Sequence, residues 1–176
     1  MTERLIIAGA GGQGIMLLGK VLAEAAMREN KHVTWLPAYG AEVRGGTAHC
    51  MVVISDNEVG SPYVSTADTL IIMNAPSLEK FQPRAAGNGL LIVNSSLVNH
   101  KKGSKIRSLN QPFTDIAIGL GNMRVANMVA LGFYIAVKKM ISEKSVLAVM
   151  RDMAPAGNKE LVAINKKALE EGMGLK

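Results

Sequence analysis

The sequence predicts an α/β protein in which a mostly parallel sheet lies between two helical layers and is followed by a helical C-terminal part. Apolar runs of strand length alternate with segments of helical periodicity through the first hundred residues. A glycine-rich turn joins the first strand to the first helix, and the last 60 residues carry helical spacing. With 176 residues, 48% of them hydrophobic and 19% charged, we expect one globular domain, 1–176.

The N-terminal segment predicts a βαβ unit. Residues 4–8 form a short apolar run typical of a strand, and residues 32–36 form a second one. Between them, residues 15–28 place apolar side chains at helical spacing, which predicts one broad buried face. A strand, a helix and a strand within about 33 residues form a βαβ unit with a right-handed crossover. Together with the glycine turn, this unit makes the predicted three-layer α/β/α sheet Rossmann-like.

The remaining elements follow in order. We expect strands at residues 47–55, 68–73, 89–93 and 105–109, the last at a sheet edge, and at most an irregular strand at residues 58–64. Helices are expected at residues 75–86, 112–118 and 122–140, from the Ser142 cap to about Met153, and from the Asn158 cap to Gly172. Pro83 must bend or end the first of these helices.

The glycine turn has the pattern G-x-G-x-x-G over Gly9, Gly11, Gly12, Gln13 and Gly14. In this pattern the first glycine permits a tight turn, the second lets backbone N–H groups approach a phosphate, and the third lets helix and strand pack closely. The helix N-terminus adds free donors and a positive dipole end. Three interpretations of the glycine turn remain. It is a purely structural turn, it binds a phosphate-bearing ligand, or its backbone contacts a partner protein.

The second half of the dinucleotide fingerprint is missing. An Asp or Glu that binds the ribose should follow the second strand, about 20 residues on. Residues 34–37 carry no acid, and the first one after them is Glu42, in a predicted loop. The sequence therefore disfavours NAD.

A second glycine-rich loop, residues 37–46, is predicted at the same sheet edge, where ligands bind in open α/β sheets. Arg44 is followed by two glycines, which places the hydrogen-bond donors of its guanidinium beside exposed backbone N–H groups, a combination that suits an anion. Glu42 could orient the guanidinium of Arg44. The candidate cofactor-binding residues are therefore those of both glycine segments: Gly9, Gly11, Gly12, Gln13, Gly14, Tyr39, Glu42, Arg44, Gly45, Gly46 and Thr47. The sequence indicates no catalytic residue.

Composition excludes several classes of protein. Cys50 is the single cysteine, which rules out a disulfide framework and a self-contained iron–sulfur cluster, and we expect it to be an inert buried thiol with His49 on the opposite face. The three histidines have no zinc-type spacing.

The net charge is +6, but only 4% of residues are aromatic, so platforms for nucleic-acid stacking are scarce. The apolar run at residues 125–137 is too short to span a bilayer, and the N-terminal run is too short for a signal peptide. We expect a cytoplasmic protein that binds no metal, nucleic acid or membrane.

With these residues in hand, the chain resembles the gamma subunit of the 2-oxoacid:ferredoxin oxidoreductases, most of all the 2-oxoglutarate (KorC-type) branch. The pyruvate, branched-chain and indolepyruvate branches share the same skeleton. The residues that carry the resemblance extend over nearly the whole chain: 9–14, 33–37, 39–46, 53–56, 61–62, 67–68, 94–98, 121–122 and 126–132.

The resemblance implies a reaction in which a 2-oxoacid, coenzyme A and oxidised ferredoxin give acyl-CoA, carbon dioxide and reduced ferredoxin. It implies that thiamine diphosphate, magnesium and iron–sulfur clusters belong to the alpha and beta, and in some enzymes delta, subunits. This chain would help to assemble the complex and to receive coenzyme A, its cosubstrate, and would be inactive alone. Its lack of a Gly-Asp-Gly run and of a cysteine set agrees with that division. The alternatives are a stand-alone nucleotide-binding oxidoreductase and a scaffolding subunit without ligand contact.

Overall fold

A computed structural model describes residues 1–38, 47–100, 106–154 and 158–175. The strands of this part of the chain are β1 (Thr2–Ala10), β2 (His32–Ala38), β3 (Thr47–Ser55), β4 (Ala67–Ile72), β5 (Ala85–Asn94) and β6 (Arg107–Gln111). Its α-helices are α1 (Ile15–Arg28), α2 (Ala75–Phe81), α3 (Phe113–Gly119), α4 (Ala126–Lys138), α5 (Glu143–Met153) and α6 (Lys159–Met173).

The strands form one sheet in the order β2-β3-β1-β4-β5-β6. Strands β1, β4, β5 and β6 pair in parallel, whereas β3 is antiparallel to both of its neighbours, β1 and β2. Five strands therefore share one direction, which confirms the mostly parallel sheet. The predicted β1-α1-β2 unit is present, but β3 lies between its two strands. It can do so because its nine residues match all nine of β1 in register.

Helices cover the two faces of the sheet unequally. Alternate residues of β1 point to opposite faces, with Leu5 and Ile7 on one and Ile6 and Ala8 on the other. The first face is buried by helices α1, α3, α4, α5 and α6. The second is buried by α2, chiefly through Phe81, and by connecting segments. The three-layer α/β/α arrangement and the helical C-terminal part are confirmed.

Helix α4 is apolar nearly all round because it is enclosed by other elements. It lies within the core of the first face, and α6 packs directly on it through two glycines. A methyl group added at Gly132 would overlap the carbonyl of Leu169, and one added at Gly172 would overlap that of Val129. The two helix backbones therefore touch, an approach that only glycine permits at these positions.

Several predicted boundaries shift. Pro83 ends the helix as expected, in a 3-10 turn at Gln82–Arg84, but Ala85 and Ala86 begin β5 instead of continuing the helix, because Ala85 pairs with Ala67. Residues 58–64, all of them described, form no strand. The expected helix at residues 122–140 is divided into a 3-10 turn at Met123–Val125 and α4. In the described ranges, no helix combines the length and the apolarity needed to cross a membrane.

Candidate functional site

The glycine turn stands at the carboxyl end of β1, and its first glycine is closed in by neighbours. A methyl group at Gly9 would lie 2.6 Å from Gln13 Oε1 and 2.9 Å from Met73 Cβ. Close packing therefore requires glycine at position 9, which still belongs to β1. The turn itself comes later, at Gly12, whose φ of 88° lies in the left-handed region. This differs from the tight-turn role predicted for the first glycine.

The inward side of the turn is tied to the sheet by side-chain amides. Gln13 accepts a hydrogen bond from Ala10 N at 2.7 Å and donates one to Met73 O at 3.2 Å. The buried Asn94 donates to the same carbonyl at 3.3 Å and to Thr114 Oγ1 at 2.8 Å. These bonds join the carboxyl ends of β1, β4 and β5 to the start of α3. The side chain of Gln13 is thus engaged within the fold.

The outward side of the turn is open. Gly11 and Gly12 are exposed, and a methyl group at either position would have no neighbour within 4 Å. Their backbone is accessible from solvent without obstruction by a side chain. A ligand phosphate or the backbone of another chain can therefore approach it closely.

The last glycine of the motif contacts a residue that the sequence analysis missed. Gly14 precedes α1 with a φ of 69°, and Asn127 Nδ2 of α4 donates to its carbonyl at 3.1 Å. A methyl group at Gly14 would lie 2.9 Å from Asn127 Cγ. This glycine therefore serves the packing of the turn on α4. The first turn of α1 has no side-chain cap and no acidic residue, so its N-terminal dipole is uncompensated by either.

Of the candidate residues in and directly after the second glycine-rich loop, the structure describes only Thr47. This first residue of β3 pairs with Ala10, the last of β1, which places it beside the glycine turn. Its Oγ1 lies 3.2 Å from Nζ of Lys80, a residue of α2 that no sequence pattern indicated. The other candidates of this segment lie outside the described residues: Tyr39, Glu42, Arg44, Gly45 and Gly46.

The sheet order bears directly on dinucleotide binding. In the dinucleotide fold, the acid that binds the ribose ends a strand next to the one that carries the glycine turn. Here β3 separates β2 from β1, which displaces the end of β2 by one more strand spacing, about 5 Å. The missing acid and the strand order both disfavour NAD.

The single thiol is fully buried. Cys50 is buried against Gly19, its Sγ lies 3.6 Å from the carbonyl oxygen of Ile15, and burial raises its pKa to about 12. His49 lies on the other face, with its ring centroid 4.7 Å from that of Phe81, so the two residues form no dyad. The described residues also contain no group of three or more His, Cys, Asp or Glu side chains arranged to hold a metal ion.

Two exposed apolar side chains lie close along the chain to Gly14 and to its contact Asn127. Leu17 follows Gly14 by three residues and is 41% exposed, and Met123 precedes Asn127 by four residues and is 61% exposed. Large apolar side chains exposed to solvent are typical of a surface that another protein covers.

Comparison with known proteins adds a family match. Residues 4–175 match the family described as pyruvate ferredoxin/flavodoxin oxidoreductase. Ketoisovalerate oxidoreductase subunit VorA of Methanothermobacter thermautotrophicus is 39% identical over 170 residues, which are 96% of this chain and 35% of VorA. The chain thus spans about a third of the length of that relative. The 2-oxoglutarate synthase subunit KorC of Archaeoglobus fulgidus is 36% identical over 151 residues, 85% of this chain and 78% of KorC.

Two solved structures share the fold. The gamma subunit of a keto/oxoacid ferredoxin oxidoreductase from Geobacter sulfurreducens has a TM-score of 0.83 and 28% identity, over 97% of this chain and 96% of that one. The 2-oxoglutarate:ferredoxin oxidoreductase from Magnetococcus marinus, with 2-oxoglutarate, coenzyme A and succinyl-CoA bound, has a TM-score of 0.89 and 24% identity, over 97% of this chain and 30% of that one.

Proposed function

The chain belongs to the pyruvate ferredoxin/flavodoxin oxidoreductase family, and from this premise we propose that it is the gamma-type subunit of a 2-oxoacid:ferredoxin oxidoreductase. The complex would decarboxylate a 2-oxoacid oxidatively to acyl-CoA and reduce ferredoxin. The gamma subunit from G. sulfurreducens supports this role, because it matches the chain over nearly the full length of both.

We propose 2-oxoglutarate as the substrate of the complex. The support is that KorC is matched over 78% of its own length, so that it is a subunit of comparable extent. The identity with VorA is slightly higher, at 39%, which makes 2-ketoisovalerate the alternative. Substrate selectivity would reside with the thiamine diphosphate site of the partner subunits. Assays of the purified complex with both 2-oxoacids separate the two proposals.

The open backbone of Gly11 and Gly12 carries the proposal that this subunit contributes to coenzyme A binding. It stands at the carboxyl edge of the sheet, beside the uncapped N-terminus of α1. Such a surface suits the pyrophosphate of coenzyme A and, in contrast to NAD binding, needs no acid for the ribose. Arg44 would add a guanidinium to the same contact. The larger protein from M. marinus, of which this fold accounts for 30%, has coenzyme A bound.

The redox cofactors would belong to the partner subunits. A single cysteine, buried and with its pKa raised to about 12, does not fit an iron–sulfur cluster, which takes thiolate ligands. We therefore assign the clusters, thiamine diphosphate and magnesium to the alpha, beta and, where present, delta subunits, with ferredoxin meeting the complex there.

A purely scaffolding role is the second candidate, and exposed Leu17 and Met123 favour it. These side chains are within four residues of Gly14 and of Asn127 along the chain, so a partner subunit, instead of coenzyme A, could cover this end of the sheet.

Co-purification tests the subunit assignment. The chain is expressed with a tag together with its neighbouring genes, and the captured material is identified. We expect thiamine diphosphate and iron–sulfur subunits, and 2-oxoacid oxidation only in the complex. Turnover of a 2-oxoacid by the pure chain, or capture of the chain alone, contradicts the proposal.

A Gly11→Leu variant tests whether the open backbone is used. Position 11 has no neighbour within 4 Å, so the variant should fold while its side chain obstructs the approach. Gly87→Leu is the matched control, an exposed glycine near the start of β5 with equally open surroundings. Weaker coenzyme A binding by an intact complex supports ligand contact, and loss of partner subunits supports the scaffolding role. If neither changes, the turn takes no part in either.

Arg44→Ala tests the second glycine segment in the same way. We expect weaker coenzyme A binding by the complex. Unchanged coenzyme A affinity together with unchanged assembly would exclude Arg44 from the site.

A further inference from the structure

A cationic cluster (Lys80, Arg84 and the intervening Phe81) lies next to the glycine turn on the opposite face of the sheet from α1. Lys80 Nζ is 3.2 Å from Thr47 Oγ1 and 5.4 Å from the centroid of the Phe81 ring. Thr47 pairs with Ala10, the residue that precedes the open backbone of Gly11 and Gly12. The ammonium group of Lys80 therefore stands one strand away from the end of β1.

Carbonyl groups and aromatic rings, instead of carboxylates, position the charged side chains of the cluster. Arg84 Nε donates to the carbonyl of Ser65 at 3.1 Å, a second guanidinium N–H donates to that of Val64, and the guanidinium lies 5.2 Å from the centroid of the Tyr63 ring. Within the residues that the structure describes, no Asp or Glu forms an ion pair with Lys80 or Arg84. Lys80 is exposed, so an anion can reach it.

The pKa of the His49 imidazole reflects the positive charge of the cationic cluster. Burial, Lys80 and Arg84 together hold the pKa of His49 below its ordinary value. Protonation of His49 would bring a third positive charge to the same place, whereas a bound anion there meets two favourable charges.

We infer that the cationic cluster binds a second anionic group, a terminal phosphate monoester, of the ligand whose pyrophosphate approaches the glycine turn. This inference rests on the proposed coenzyme A binding and deepens it. The chain would then distinguish coenzyme A, which carries a 3′-phosphate, from 3′-dephospho-coenzyme A, which has only the pyrophosphate. Lys80 supplies the discriminating contact through a charge-assisted hydrogen bond.

The position of Thr47 explains how one ligand can meet both surfaces. The side chain of Thr47 lies on the same face of β3 as Met51, two pleats further on, which packs in the core beneath α2. The helix that follows the glycine turn, α1, packs on the other face. A ligand laid across the carboxyl end of β1 therefore has backbone donors on one side and the Lys80 ammonium on the other.

Direct binding measurements test the inference. The complex is purified through a tag on this chain, and dissociation constants for coenzyme A and 3′-dephospho-coenzyme A are measured by equilibrium dialysis. The variants are Lys80→Ala, the charge-preserving Lys80→Arg, and Lys166→Ala, a control at an exposed lysine of α6.

We expect the wild type to bind coenzyme A about tenfold more tightly than the dephospho form, a factor equivalent to about 1.4 kcal/mol. Lys80→Ala should abolish this preference by weakening coenzyme A binding alone. Lys80→Arg and Lys166→Ala should retain the preference.

Three results overturn the inference while coenzyme A binding stands. They are equal wild-type affinity for both ligands, an unchanged preference in Lys80→Ala, and loss of a partner subunit from Lys80→Ala with the preference intact, which would assign Lys80 to a subunit interface. A wild-type complex that binds neither ligand instead removes the coenzyme A proposal and this inference with it.

Discussion

The glycines of the carboxyl-edge turn and those between α4 and α6 differ in what surrounds them. Around Gly132 and Gly172 the space that a side chain would need is filled by backbone of the opposite helix. Around Gly11 and Gly12 that space is empty and faces solvent. The first pair is explained by packing within the chain. Packing does not explain the second pair: the positive φ of Gly12 accounts for a glycine there, and Gly11 leaves the backbone open to a contact from outside the chain.

Substitution of a glycine between α4 and α6 should have the largest effect on stability. Gly132→Ala places a methyl group on the Leu169 carbonyl, and because backbone cannot move aside as a side chain can, we expect α4 and α6 to separate. Denaturant unfolding should show a loss of about 3 kcal/mol in the free energy of unfolding. Gly119→Ala, at an open position at the end of α3, is the control. A loss below that of the control would mean that the helices do not touch as described.

Within the turn itself, Gly14→Ala should have an intermediate effect. Its φ of 69° is unfavourable for alanine, and the new methyl group would collide with Asn127, although that side chain can move. We expect a loss of about 2 kcal/mol, mostly from the backbone conformation. Thermal and denaturant unfolding measure it. Full stability would show that the turn is not anchored at Gly14.

Asn127→Ala should have a smaller effect. The substitution removes the 3.1 Å hydrogen bond to the Gly14 carbonyl and leaves φ of the turn unchanged. A loss of about 1 kcal/mol is expected from denaturant unfolding. A loss as large as that of Gly132→Ala would instead make Asn127 a core packing residue in its own right.

Gly11→Ala should be the mildest change. It meets no neighbour and, unlike Gly12 and Gly14, position 11 has no positive φ, so alanine fits without strain. The free energy of unfolding should stay within about 0.5 kcal/mol of wild type or rise slightly, because alanine restricts the unfolded chain. Clear destabilisation would place position 11 with the tightly packed glycines and remove the basis for an external contact there.

Local sequence signals predicted the elements that depend on neighbouring residues. Ser142 and Asn158 were expected to cap helices, and their side chains accept hydrogen bonds from the backbone N–H groups of Ser145 and Leu161. The periodicity of residues 15–28 also gave the bounds of α1. Caps and amphipathic faces are encoded within a few residues, so a single sequence is sufficient to find them.

Features that join distant segments were not accessible to the same reasoning. The insertion of β3 between β1 and β2 depends on register along two long strands. The contact of Asn127 with Gly14 joins residues 113 apart, and that of Lys80 with Thr47 joins residues 33 apart. Lys80 belongs to no motif, and Asn127, although it lies in the segment 126–132 that carries the family resemblance, has no spacing that links it to the glycine turn. The glycine turn could therefore be found from sequence, whereas the side chains that complete its surroundings could not.

The insertion of β3 also has a consequence for the order of folding. Strands β1 and β2 do not pair with each other. Both pair with β3, so a chain that ends before Thr47 lacks the strand that joins them. That half of the sheet closes only when β3 is available to enter between them, after β1, α1 and β2 have all been synthesised. Only eight residues separate β2 from β3, whereas 36 separate β1 from β3, so the entropic cost of loop closure falls on the pairing of β3 with β1. We expect docking of the paired strands β2 and β3 on β1 to be a late, slow step in folding, during which this edge of β1 is unpaired.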